Sequence, residues 1–106
     1  MDSRAERIGR NEALFREVNE RIKDVSEDQS ELEILCECGD AECTTTIRIT
    51  PGEYEGLRAD PTRFAVAHGH EMHDVEQIII SNDRYAVVEK FGEPTRVARE
   101  TDPRSA

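Results

Sequence analysis

Tryptophan is absent from this 106-residue chain and only two Tyr and three Phe are present, so little surface is offered for stacking nucleic-acid bases. Large apolar residues are scarce as well. Leu, Ile, Val and Phe together number 22 of 106, beside 36% charged residues, close to the ~20% below which strongly charged chains stay unfolded. No apolar run approaches the ~18 to 20 residues of a membrane span, and the opening MDSRAERIGRNEA has no apolar block of the signal-peptide kind. A cytoplasmic location without membrane contact is expected. G-x-S-x-G, P-loop and G-x-G-x-x-G patterns are all missing, which points away from an enzyme. Cysteines number three, an odd count, and Cys36 and Cys38 are too close to bridge without strain; metal or redox use is favoured over a disulfide framework.

What is present is acidity. The formal net charge is -10 and the pI near 4.7, so phosphate backbones are repelled and direct nucleic-acid binding is not expected. The middle third is the most acidic, with eight acidic and two basic residues between 31 and 60. A cation or a basic partner suits that segment. At this length one small domain is expected, too short for a barrel enzyme of roughly 250 residues.

Periodicity sets the elements. Ile8, Phe15, Val18, Ile22 and Val25 recur at helical spacing from Ser3 to about Val25. Ser3 with Glu6 reads as a capping box, and Glu6–Arg10, Glu12–Arg16 and Glu17–Arg21 as acid-before-base pairs. Such a helix is about 33 Å long, so its stripe can overhang a small body and meet another protein or a second copy; Ile8, Phe15, Val18 and Ile22 are the partner-facing residues on this reading. Asn11 interrupts the stripe, either to set the register of a helix pair or as an exposed residue near the helix start. Leu32, Ile34 and Cys36 alternate with glutamates as in a half-buried strand, and TTTIRIT at 44–50 is a second strand. Thr50-Pro51-Gly52-Glu53 opens a short helix to about Ala59. RFAVA at 63–67 is a third strand. Val75 to Ile80 and Tyr85 to Val88 flank a polar turn as a hairpin, with a helix through Met72, Val75 and Ile79 as the alternative. A helical turn or two follows over 94–100, and 102–106 reads as a loose tail. The expected organisation is an N-terminal helix over 1–28, an α+β core over 29–92 and a C-terminal segment over 93–106.

Cys36-x-Cys38 and Cys43 place three thiols within eight residues around a Gly39-Asp40 turn. Thiolates of this kind suit Zn²⁺, which takes four ligands in a tetrahedron. The nitrogen donors at hand are His68, His70 and His73, and a Cys₃His site closes if one of them reaches the cysteine turn. His70 is preferred, because Gly69 beside it allows a tight ligand loop; His68 and His73 remain alternatives. His70-Glu71-Met72-His73 is H-E-x-H, one residue short of the zinc-protease spacing. His68-x-His70-x-x-His73 has Met72 where the metallo-β-lactamase fold carries aspartate. Glu37, Asp40 and Glu42 add negative charge beside the thiols and are expected to raise their pKa values in the absence of a metal.

The run Leu35-Cys36-Glu37-Cys38-Gly39-Asp40-Ala41-Glu42-Cys43, the segment from Tyr54 to Phe64 and Gly69-His70-Glu71 resemble small uncharacterised bacterial proteins with a CECGDxxC … GHE pattern. Arg10 to Ile22 and Asn82-Asp83-Arg84-Tyr85 are similar to the same group, so the resemblance covers most of the chain. It implies no activity. The position before Gly69 is usually proline in that group, so His68 departs from the pattern while His70 matches it.

The sequence thus predicts an α+β domain with a long N-terminal amphipathic helix, a small and mostly antiparallel sheet and one short helix, pinned by zinc on Cys36, Cys38, Cys43 and His70. The expected role is that of a non-enzymatic, regulatory module acting through protein–protein interaction. A zinc- or thiol-responsive redox regulator and a small metal-dependent hydrolase are the alternatives.

Overall fold

The computed structural model describes residues 4–26 and 28–104, apart from the side chains of residues 93 and 94. Helix α1 spans Arg4–Val25; the expected cap residue Ser3 lies outside the described residues. Five strands follow: β1 Leu32–Leu35, β2 Thr46–Ile49, β3 Arg63–Val66, β4 Glu76–Ser81 and β5 Ala86–Lys90. Helix α2, Pro51–Arg58, separates β2 from β3, and α3, Glu93–Glu100, closes the chain. The α+β class is as expected, with the β structure divided into two antiparallel sheets, a β1-β2 pair and a three-stranded sheet of order β3-β5-β4. The segment around Met72 to Ile79 enters a strand, not a helix.

Local chemistry explains these elements. In α2, the Thr50 hydroxyl accepts from Glu53 N–H at 3.1 Å while Glu53 Oε1 accepts from Thr50 N–H at 2.9 Å, and Pro51 occupies the first turn, where no N–H is needed. The β1-β2 register sets Leu32 opposite Ile49 and Ile34 opposite Ile47. These four join Tyr54, Leu57, Ala65, Tyr85 and Val87 in one core cluster. Phe64, Val66, Ala86 and Val88 project to the other face and form a second cluster with Cys36, Cys38 and Ala98. The strands β3 and β5 are therefore buried on both faces, which is why RFAVA and YAVV lack polar alternation.

Helix α1 corrects the expectation of an overhanging apolar stripe. Its buried line is Ile8, Gly9, Glu12, Arg16 and Asn19. Phe15, Val18 and Ile22 are half-buried against the chain itself, and only Val25, 83% exposed, stands clear of it. The helix packs on α3 and β1, so α1 lies against the body. The polar residues are drawn in because each finds partners, the condition for burying them without large cost. Arg16 donates to the carbonyls of Pro61 and Ala98 at 2.7 and 2.8 Å. Asn19 donates to Leu35 C=O at 2.9 Å and accepts from Leu35 N–H at 2.8 Å. Glu12 and Glu76 both pair with the buried ammonium of Lys90. The expected Glu12–Arg16 pair is accordingly absent, whereas the exposed Glu6–Arg10 and Glu17–Arg21 pairs form at 3.8 Å. Asn11 donates to Gly39 C=O at 2.8 Å, so its place in the stripe serves contact within the chain.

The expected loose tail is anchored as far as it is described. Arg104 donates to Glu20 at 2.6 Å and pairs with Glu55, and the Arg104 contact, followed by Lys23, holds the Glu55 carboxyl down to about 2.

Burial raises the Glu12 carboxyl to about 8, against the opposing pull of Lys90. Between the ordinary carboxylate range and pH 8 the folded chain binds a proton that the unfolded chain has released, so the stability due to this group falls as pH rises through that window and levels off above it. The stability of the wild type relative to Glu12→Gln should therefore decline from pH 6 to pH 8, by at most about 1.4 kcal/mol per pH unit. Urea unfolding of both proteins in identical buffers measures it; parallel curves across that range would contradict a shifted Glu12.

Candidate metal centre

Strand alternation at the end of β1 sorts three consecutive residues. Cys36 and Cys38 turn their sulfurs to the second core cluster, and Glu37 between them turns the opposite way. Cys36 N–H still donates to Thr45 C=O at 2.9 Å, as an extension of the β1-β2 ladder, and Glu37 N–H donates across to Ala65 C=O at 2.8 Å. The chain then reverses at Asp40, whose carboxylate accepts from Glu42 N–H at 2.9 Å and whose carbonyl accepts from Cys43 N–H at 3.1 Å. That turn brings the third sulfur round to the first two. From the other side, the loop after β3 makes a turn closed by His70 N–H on Ala67 C=O at 3.0 Å. Gly69 has φ +85°, and nothing lies within 4 Å of where its Cβ would be. The glycine is needed for a left-handed backbone at that turn position, not for the close approach that the sequence suggested.

These two turns meet. His70 Nδ1 lies 3.5 Å from Cys36 Sγ and 3.6 Å from Cys43 Sγ, and one ligand atom from each of Cys36, Cys38, Cys43 and His70 falls within 4.8 Å of all the others. A tetrahedral ion with metal–sulfur bonds of ~2.3 Å and metal–nitrogen bonds of ~2.05 Å separates sulfur from nitrogen by about 3.6 Å. The donor set therefore fits a four-coordinate metal ion. Cys36 and Cys38 are buried, while Cys43 and His70 are half-exposed. Ala67 N–H points at Cys36 Sγ from 3.2 Å, the kind of outer contact that orients a ligand.

His68 is exposed, with Nε2 2.6 Å from Asn82 C=O. His73 is 77% exposed and sits 3.5 Å from Glu71. Neither joins the cysteines. The expected uniform rise of the thiol pKa values is also corrected. Cys38 is raised, by its hydrogen bond to Cys36 and by burial. Cys36 is lowered, first by the hydrogen bond from Cys38 and then by the N–H groups of Ala67 and Cys38, which outweigh burial. Two adjacent thiols sharing one proton split in this way.

The sequence suggests Glu37 only as one of three acidic residues that add negative charge beside the thiols. Glu37 is fully buried, gripped by Arg58 at 2.8 and 3.0 Å in a bidentate fork. Asn19 Nδ2 at 2.8 Å and Ala65 N–H at 3.0 Å complete its partners. One carboxylate thus ties α1, α2 and β3 to the backbone that carries two of the sulfurs. A glutamate between two inward-facing cysteines was the available signal; nothing in the sequence marked Arg58 as its partner.

Comparison with protein-family models, with curated proteins and with solved structures gives no match. Among the described residues no helix is long and apolar enough to cross a membrane.

Removing one member of a buried ion pair strands the other, at about 3 to 5 kcal/mol. Glu37→Ala and Arg58→Ala should each lose that much stability, and the double variant little more than either. Urea unfolding decides it; additive losses would mean the two residues do not act as a pair.

Proposed function

We propose that this chain is a non-enzymatic cytoplasmic module, built on one structural Zn²⁺ held by Cys36, Cys38, Cys43 and His70, that works in regulation by binding another protein. The meeting of two sequence-distant turns with four donors at tetrahedral spacing carries this reading. Three soft thiolates and an imidazole favour zinc over magnesium, calcium or manganese. Four protein donors fill the tetrahedron, whereas a hydrolytic zinc keeps a place for water. The ion, three thiolates and a neutral imidazole sum to a charge of -1.

Energetics support a structural role. A zinc ion of this kind contributes on the order of 10 kcal/mol of apparent binding free energy at neutral pH, comparable with the whole stability of a small domain. In a chain this poor in large apolar residues, such an ion closes the gap between core and entropy. Binding of a protein is supported by isoleucines left at the surface of so thin a core, with Ile78, Ile79 and Ile80 between 36% and 52% exposed. The net charge of -10 weighs against nucleic acid and anionic membranes as partners.

Native mass spectrometry should find one zinc per chain, with loss of the ion to chelator accompanied by loss of cooperative unfolding. Cobalt substitution should give the intense absorption of a tetrahedral thiolate site. His70→Ala should weaken zinc binding at least tenfold, while His68→Ala and His73→Ala leave it unchanged. A chain that is ion-free yet cooperatively folded, or that binds zinc equally well without His70, would overturn the proposed centre.

A further inference from the structure

The two edges of the three-stranded sheet are treated differently. On the β3 side, the backbone and side chain of Glu37 cover Ala65, accepting its N–H at 3.0 Å and donating to its carbonyl at 2.8 Å. On the β4 side no strand follows among the described residues. Natural edges are protected by charge, proline, shortness or a bulge. From Gln77 to Ser81, β4 carries no charge and no proline, and its only such device is the register shift between Ile78 and Ile80. Ile78 lies opposite Val88 and Ile80 opposite Val87, two residues that point to different core clusters. The strand is thus apolar on both faces, the pattern of an interior strand rather than an edge. On the Val87 face, Ile80 also forms one wall of a cavity of about 340 Å³ whose other apolar walls are Ile49, Leu57, Tyr85 and Val87.

We infer that β4 receives an extended segment of a partner protein as a fourth strand, with an apolar side chain entering the cavity beside Ile80 and basic residues flanking the segment. The inference rests on the protein-binding reading above and moves the contact from the α1 stripe to this edge. Backbone pairing to β4 supplies affinity, and the side chains of alternate residues supply selectivity. Charge argues for the occupant. Antiparallel pairing with a second copy would join two bodies of charge -10, while the strand-end carboxylates Asp74 and Asp83 each already stand beside an arginine, Arg4 and Arg84. A segment with lysine or arginine beside its apolar residues instead meets a body of opposite net charge.

The test uses the full zinc-loaded chain and a phage-displayed library of nine-residue peptides, counter-selected against Ile80→Lys. Selected peptides should alternate apolar residues and carry basic flanks. As synthetic peptides they should bind at least tenfold more weakly to Ile80→Lys and to the milder Ile80→Thr, both with unchanged zinc content. They should slow amide hydrogen exchange in residues 77–81, and proline at alternate peptide positions should abolish binding. The proposal is overturned if selection yields no peptide dependent on Ile80, if the flanks are acidic, or if sedimentation shows a dimer that Ile80→Lys dissolves, because the occupant is then a second copy. A zinc-loaded chain that binds a protein through another surface would refute this edge alone and leave the module reading standing.

Discussion

Four side chains from two distant turns have to be held a few ångströms apart in a chain with little apolar mass to do it. The solution depends on the triplet Cys36-Glu37-Cys38, which faces two ways at once. Its sulfurs look toward His70 and its carboxylate toward Arg58. An extended backbone does this at no extra cost, since successive side chains leave opposite faces. The Glu37–Arg58 fork fixes the position of the strand end from behind, and the remaining lone pairs are taken by Asn19 and Ala65. A buried pair satisfied this fully is specific in geometry even where its net contribution to stability is modest.

The same economy runs through α1. Where a larger domain would lay leucines, this helix lays Glu12, Arg16 and Asn19, each bonded to a different part of the body. Arg16 also stacks over Phe64 at 5.0 Å and Arg58 over Tyr54 at 5.3 Å, so the guanidinium planes serve as packing material for the few rings available. Apolar contact is kept for places where the backbone comes close. A Cβ on Gly39 would stand 2.4 Å from the Ile8 side chain; any larger residue there would push the helix off the ligand turn.

Short-range signals made much of this legible. The capping box at Thr50 and Glu53, the β-branched run before it, the apolar strands around Phe64 and Val88, and the clustered cysteines all act within a few residues, so pattern and structure agree. Long-range polar pairing was not legible. The four-residue spacing suggests Glu12 with Arg16, yet the Arg16 guanidinium is itself buried and taken up by the carbonyls of Pro61 and Ala98, and Glu12 turns to the buried ammonium of Lys90. Likewise the stripe of α1 was read from apolar residues alone, and the true buried line is turned aside by Arg16 and Asn19, whose partners lie in α3 and β1. Gly69 marks the ligand loop through its positive φ and not through close approach.

The uneven cover of the four donors makes traffic at the site one-sided. Cys36 and Cys38 lie beneath the body, with Asn11 and Ile8 of α1 seated on the neighbouring Gly39, whereas Cys43 and His70 face outward. A competing chelator or an oxidant reaches the outer pair first, and those two belong to different turns. Attack would therefore meet the link between the two turns before it touched the sulfurs embedded in the core.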